Sequence, residues 1–190
     1  MPLFFLGLSF FLGVQTPQLK PVTVADFERF INATQYITDA ERYGWSIVQQ
    51  DVYRYTTVWG AYWCQPDGEK PPASENLPVT QVSYADAEAY CQWAGVRLPT
   101  YSEYWRWVKM DSRPIQSDNK GPIVPVDRVN IVGNVWDITQ PEEKNAPIRL
   151  AGGSVFCSPI TCHGTVSDRE LYVDAQTANI HIGFSVVLNP

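Results

Sequence analysis

Two cysteines near the end of the chain carry the most reactive chemistry in this sequence. Cys157 and Cys162 stand with four residues between them in "GGSVFCSPITCHG", Gly152 to Gly164, a stretch rich in Gly, Ser and Pro. Such a pair can close a disulfide, clamp a soft metal ion or act as a redox couple, and spacing alone does not choose among these. Cys91 lies on the apolar face of a helical segment and reads as a small buried hydrophobe, although a bridge to Cys64 is open to it. Other chemistries are poorly provided for. His163 and His181 are the only histidines, too few for a three-histidine iron centre, and no Gly-rich phosphate loop is present. The seven tryptophans are dispersed, as core tryptophans usually are.

Three helices must position these groups, each announced by a hydroxyl residue. Thr23 precedes "VADFERFI", Ser83 precedes "YADAEAYCQWAG" and Thr100 precedes "YSEYWRWV". In each case an acid follows three residues later: Asp26, Asp86 or Glu103. A hydroxyl accepts an orphan N–H of the first turn, and an acid there suits the helix dipole. Only Thr100 with Glu103 meets the strict capping-box rule, which asks for Glu or Gln. Val24, Phe27, Phe30 and Ile31 share one helical face, as do Ala87, Tyr90, Cys91 and Ala94, and Gly95 supplies a stop. Arg97 in "RLPT" reads as an ion-pair partner at the entry to the third helix. The last third has no helical period; "IRLAGGSVF" and "IGFSVVL" read as short strands, and "VNIVGNVWDIT" as a strand or tight turn.

The chain has 190 residues, 45% of them apolar, enough for one domain (1–190) with a core. A net charge of −6 without a Lys/Arg cluster argues against nucleic acid and anionic membranes as partners. The apolar run in "MPLFFLGLSFFLGVQTPQ" is too short to span a bilayer. No Lys or Arg precedes it and no clean cleavage site follows, so residues 1–20 read as a first strand and the protein as cytoplasmic, with a weak export signal as the alternative. A monomer is expected. The whole is an α+β chain, with short helices early, short strands late and long loops between.

Four blocks stand in a fixed order: "PVTQVSYADAEAYCQWAGVRLPTYSEYWRWV" (78–108), "NIVGNVWDIT" (130–139), "RLAGGSVFC" (149–157) and "IGFSVVL" (182–188). With "VTVADFERFINATQYITDAERYGWSIV" (22–48), they resemble the sulfatase-modifying-factor family, whose best-known member is the formylglycine-generating enzyme. The resemblance implies that family's variant of the C-type lectin fold, with little regular secondary structure. It also implies that Cys157 and Cys162 hold Cu(I), a soft ion suited to two thiolates, with room left for a substrate thiolate. Ser154 would orient substrate or oxygen, and Trp136 would wall the site. The implied reaction oxidises a cysteine of a target protein or peptide, or a related small thiol, to an aldehyde with O2. In the family a second loop binds Ca2+; carried over, its donors are Asn130, Gly133, Val135 and Asp137, with Asp137 in place of the usual Glu. A solvated Asx-type turn accounts for the same residues. The further calcium loop would fall in residues 112–128, which are too few to form it.

Several residues depart from the family pattern. Ser185 and Glu170 stand where arginines are expected, Ser158 where His is common, Thr161 where Tyr is common, and Val186 where some relatives carry a cysteine partner for Cys91. Losing guanidinium groups removes bidentate donors and positive charge that could orient a peptide. The alternative to the oxidase is therefore a catalytically inactive, lectin-like binding module on the same scaffold.

Overall fold

A hydroxyl side chain closes the first turn of every α-helix described. The computed structural model describes residues 18–51, 53–69, 71, 74–117, 121–157 and 170–188, so Cys162, Ser158, Thr161 and the N-terminal apolar run lie outside the described residues. The helices are α1 (Val24–Thr34), α2 (Asp39–Tyr43), α3 (Tyr84–Ala94) and α4 (Tyr101–Trp107). All four carry complete capping boxes: Thr23 with Asp26, Thr38 with Glu41, Ser83 with Asp86 and Thr100 with Glu103. The strict rule excluded the aspartates, yet Asp86 reaches the Ser83 N–H at 2.9 Å, because the shorter side chain still spans the turn. Helix α2 has five residues, too few to leave an apolar period in the sequence.

Buried carboxylates tie α2 to α3. Asp86 accepts from the Asp39 N–H and the Tyr36 hydroxyl, both at 3.1 Å, and Ser83 donates to Asp39 at 2.7 Å. The caps thus serve as tertiary contacts as well as local ones. Arg97 pairs with Glu103 through two bonds of 2.6 and 2.8 Å, fixing the entry to α4 as expected.

The strands are β1 (Gln18–Pro21), β2 (Trp45–Gln49), β3 (Tyr55–Trp59), β4 (Trp136–Ile138), β5 (Ile148–Ala151), β6 (Tyr172–Val173), β7 (Ile182–Gly183) and β8 (Ser185–Leu188). They form three small sheets: β1 with β8, β2 with β3, and a four-stranded sheet ordered β6-β5-β4-β7. Strand β4 is antiparallel to β5 and parallel to β7. Pairing of β1 with β8 joins the start of the described chain to its end. Gly183 is needed where β7 passes under another backbone, since a Cβ there would meet the Val79 carbonyl at 2.3 Å.

The central sheet separates two apolar clusters. Helices α1 and α3 bury Phe27, Phe30, Ala87, Tyr90 and Cys91 in the larger one, together with Phe184, Ile138 and Leu150. Rings of Phe27 and Phe30 meet edge-on at 5.3 Å, and those of Tyr90 and Phe184 at 5.4 Å. Each such side chain contributes roughly 1.5–3 kcal/mol through its burial. The smaller cluster holds Tyr101, Tyr104, Val108, Val132 and Ala151. Strand alternation sends Ile138 and Trp136 toward the larger cluster and Asp137 toward Tyr104 in the smaller one.

Two expectations about the core change. Ala94 lies exposed at the end of α3, past the last turn that packs. Of the seven tryptophans only Trp63 is fully buried; Trp59 is 74% exposed, and Trp45 and Trp93 also reach solvent. Trp45 and Trp59 sit opposite each other on the β2–β3 hairpin, so cross-strand pairing replaces the core as their reason for being there. Cys64 and Cys91 are free thiols, not a bridge.

Candidate active site

Strand β5 ends at Ala151, and Gly152 and Gly153 turn the chain with φ of 85° and 77°. Gly152 has a further reason to lack a side chain: a Cβ would lie 2.2 Å from the Tyr104 hydroxyl. This turn delivers residues 154–157 as a tight, buried loop. The Cys157 N–H donates to the Ser154 carbonyl at 2.9 Å, and the Phe156 N–H donates to the Ser154 hydroxyl at 3.3 Å. The Val155 N–H donates to the Asn134 carbonyl, anchoring the loop on the segment before β4. The Ser154 N–H points at the Cys157 sulfur at 3.3 Å, a contact that would favour a thiolate. Cys157 has no exposed surface and is disulfide-bonded. Trp136 opens β4, half-buried against the larger cluster, and its N–H donates to the His181 carbonyl at 2.8 Å.

Beside this loop lies a cleft of about 450 Å³. Val155 and Phe156 form one wall, Ile180 and His181 another, and Trp63 with Pro66 a third. Its size is that of an ordinary small-ligand site. The rings of Phe156 and His181 are 4.2 Å apart. Burial lowers the imidazole pKa to about 4, so His181 is neutral at pH 7. The sequence marked His181 only as one of two histidines, and nothing in it marked Trp63 or Phe156 as cleft residues. The walls come from separate loops that only folding brings together.

The candidate calcium donors divide. Asn130, Val135 and Asp137 border a small cavity of about 10 Å³; Gly133 is not among its lining residues. The Asn130 carboxamide accepts the Val132 N–H at 2.9 Å and donates to the Asp111 carbonyl at 2.7 Å. Asp137 is fully buried and takes hydroxyl bonds on both oxygens, from Ser185 at 2.6 Å and Tyr104 at 3.1 Å. Burial pushes its carboxyl up to about 7, against the lowering effect of those two bonds. Nothing in the sequence pointed to Tyr104 as its partner. Among the described residues no group of three or more His, Cys, Asp and Glu side chains gathers into a metal site.

Residues 18–108 match the family model of the sulfatase-modifying factor enzyme 1-like domain. Over that segment the chain is similar to the sulfatase-modifying factors. It is 38% identical over 115 residues to a formylglycine-generating enzyme of Thermomonospora curvata, covering 48% of this chain and 38% of that protein. It is 40% identical over 101 residues to the inactive Cα-formylglycine-generating enzyme 2 of Mus musculus, covering 44% of this chain and 33% of that protein. These two matches therefore span only 38% and 33% of the relatives' own length. A formylglycine-generating enzyme of Mycobacterium tuberculosis aligns more broadly, at 27% identity over 256 positions that cover 90% of this chain and 86% of that protein. Those 256 positions exceed the 190 residues of this chain, so the alignment passes over segments of that relative with no counterpart here.

The α+β fold agrees with this kinship. PvdO from Pseudomonas aeruginosa superposes with a TM-score of 0.56 at 15% identity, over 88% of this chain and 77% of that one. Among the described residues no helix is long and apolar enough to cross a membrane.

Proposed function

We propose that this chain is an oxidase of the formylglycine-generating type, acting through its reduced Cys157–Cys162 pair on a thiol of a protein, a peptide or a small molecule. The observation that carries this reading is the Gly152–Gly153 turn, which sets Ser154 and Cys157 next to a cleft of about 450 Å³. The donor set suits copper: two sulfurs are soft ligands, and the Ser154 N–H beside the Cys157 sulfur favours its anionic form once the disulfide is reduced. Bound Cu(I) would supply the activation of O2 and of the substrate thiolate. The chain's own part is to hold, orient and exclude water. Ser154, expected to orient substrate or oxygen, braces the loop by accepting the Phe156 N–H; it is 1% exposed and is not among the residues lining the cleft. Phe156, Ile180 and Trp63 keep water from the reacting end of the cleft. Trp136, expected to wall the site, is not among the residues lining the cleft; it packs against the larger cluster and its backbone N–H holds the His181 carbonyl at 2.8 Å. The residues expected to hold Ca2+ do not fit that ion here: both Asp137 oxygens accept hydroxyls, from Ser185 and Tyr104, and the Asn130 carboxamide is bonded at both ends around a cavity of about 10 Å³.

A second reading is favoured by a specific observation. Cys157 is disulfide-bonded and wholly buried, and an inactive mouse relative matches as well as the active ones. A binding module on the same scaffold accommodates both facts.

Anaerobic Cu(I) titration of the reduced protein against a competing chelator, beside Cys157→Ser, separates the two. The oxidase predicts one tight copper, lost in the variant, and copper-dependent O2 uptake with a cysteine peptide. Weak binding that is unchanged in the variant leaves the binding module. In the same series, added Ca2+ should leave the Tm of wild type unchanged; a rise that Asp137→Ala abolishes would return calcium to this loop.

A further inference from the structure

A second cavity, of about 220 Å³, opens where α2 runs into β2 and shares no lining residue with the large cleft. Tyr43 and Trp45 form its aromatic side, and Asp174 and Thr177 its polar side. Its volume is below that of an ordinary small-ligand site, so it suits a single headgroup. The two ring centres are 6.1 Å apart, with planes inclined at 32°. The Tyr43 hydroxyl donates to Gln176 at 3.0 Å, which ties its ring to the loop that carries Asp174. Both rings remain open to solvent, Tyr43 at 45% and Trp45 at 36%. Neighbouring aromatics left this open are more informative than a scattered apolar side chain.

Charge narrows the occupant. Asp174 is the only charged residue among the described residues that line the cavity. One of its oxygens accepts the Gln176 and Thr177 N–H groups, each at 2.8 Å, and the other accepts the Thr177 hydroxyl. Desolvation acts to raise its pKa, but those bonds together hold it below the usual carboxylate value, so Asp174 is ionised at pH 7. None of these donors is charged, and among the described residues no Lys or Arg forms an ion pair with it. Arg42, next to Tyr43 in the chain, is engaged elsewhere: it pairs with Asp39 at 3.3 Å and lies 5.4 Å from the centre of the Tyr36 ring. An unpaired carboxylate and two aromatic rings attract a cation in the same sense, and both repel an anion. A primary ammonium would have to shed tightly held water against the rings. An ammonium covered by alkyl groups carries its charge without that penalty.

We propose that the notch formed by Tyr43 and Trp45, with Asp174 beside it, binds a small quaternary ammonium compound. The alkyl groups rest on the rings and the carboxylate supplies the counter-charge. With ring centres 6.1 Å apart, one cation can lie within roughly 6 Å of both, the reach of a cation–π contact. This site uses neither Cys157 nor copper, so it stands independently of the oxidase.

The test titrates the whole protein with choline and with its carbon isostere neohexanol (a tert-butyl group in place of trimethylammonium), read by the NMR signals of the ligand methyl groups. The two probes share a shape and differ in charge. Choline should bind saturably and lose affinity as salt is added, and the alcohol should bind at least about tenfold more weakly. Trp45→Leu keeps an apolar side chain and removes the ring, so it should weaken choline about tenfold. Asp174→Asn keeps an acceptor for the Gln176 and Thr177 N–H groups and removes the charge. It should weaken choline about fivefold and flatten the salt dependence of the binding that remains. Should either variant fail to fold, judged by Tm, the two probes and the salt series on wild type still decide the matter. Equal binding of the two probes, choline binding indifferent to salt, undiminished binding by folded Trp45→Leu, or no saturable binding overturns the proposal. Tighter binding of a methyl glucoside than of choline also overturns it and assigns the rings to a sugar.

Discussion

At the scale of single residues, the buried polar side chains fall into two kinds. Asp137 is satisfied on both oxygens, and Tyr104 and Ser185 hold it in a closed set inside the smaller cluster. His181 keeps its Nδ1 buried without a partner. The difference has a consequence in acid. A histidine buried neutral, with its pKa moved from 6.5 to about 4, binds its proton later than the unfolded chain does. Between those values the unfolded state holds more protons, so the folded state loses stability as pH falls from about 6.5 toward 4. His181→Gln should flatten that part of the stability–pH curve, read from urea midpoints at pH 7, 6, 5 and 4.5. A parallel loss in wild type and variant would assign the acid sensitivity to carboxylates instead.

At the scale of elements, the caps are where local sequence and tertiary structure agree. Ser83 accepts the Asp86 N–H at 3.1 Å to start α3, and the same hydroxyl donates to Asp39 of α2 at 2.7 Å. Ser83→Ala removes both bonds and leaves one Asp39 oxygen buried without this donor. The expected loss is about 2–3 kcal/mol, more than an isolated cap costs, measured by chemical denaturation. Helix starts were legible because a hydroxyl and an acid three residues on are neighbours in the chain. The apolar faces of α1 and most of α3 were legible for the same reason. The short helix α2 was not, and nor was the use of aspartate in a full capping box, because reach rather than residue type decides it.

At the scale of the whole molecule, legibility falls with distance along the chain. The Gly-Gly-Ser loop and its cysteine could be picked out by eye, since they form one block. The cleft could not, because Trp63, Phe156 and His181 come from different parts of the sequence and meet only in the fold. Asp137 shows the same limit, with partners 33 and 48 residues away. The tryptophans misled for another reason: aromatic residues suit a half-exposed, paired strand as well as a core. The kinship to sulfatase-modifying factors was legible throughout, because it rests on the order of blocks rather than on any contact.

The β2–β3 hairpin, described above only as the home of two tryptophans, also presents an outer strand that, among the described strands, has one neighbour. Strand β3 reads "YTTVW", uncharged and mostly exposed, and among the described strands it pairs only with β2. It carries neither the lysine nor the proline that commonly blunts an outer strand. Attraction between molecules should therefore grow with concentration despite the net charge of −6, seen as a negative second virial coefficient in static light scattering. Thr57→Lys, which places a charge mid-strand on an exposed residue, should move that coefficient toward positive values while leaving Tm within about 1 kcal/mol equivalent of wild type. An unchanged coefficient would trace the attraction to another surface. A positive result would make the strand that displays the aromatics the feature that limits how concentrated the protein can be kept dispersed.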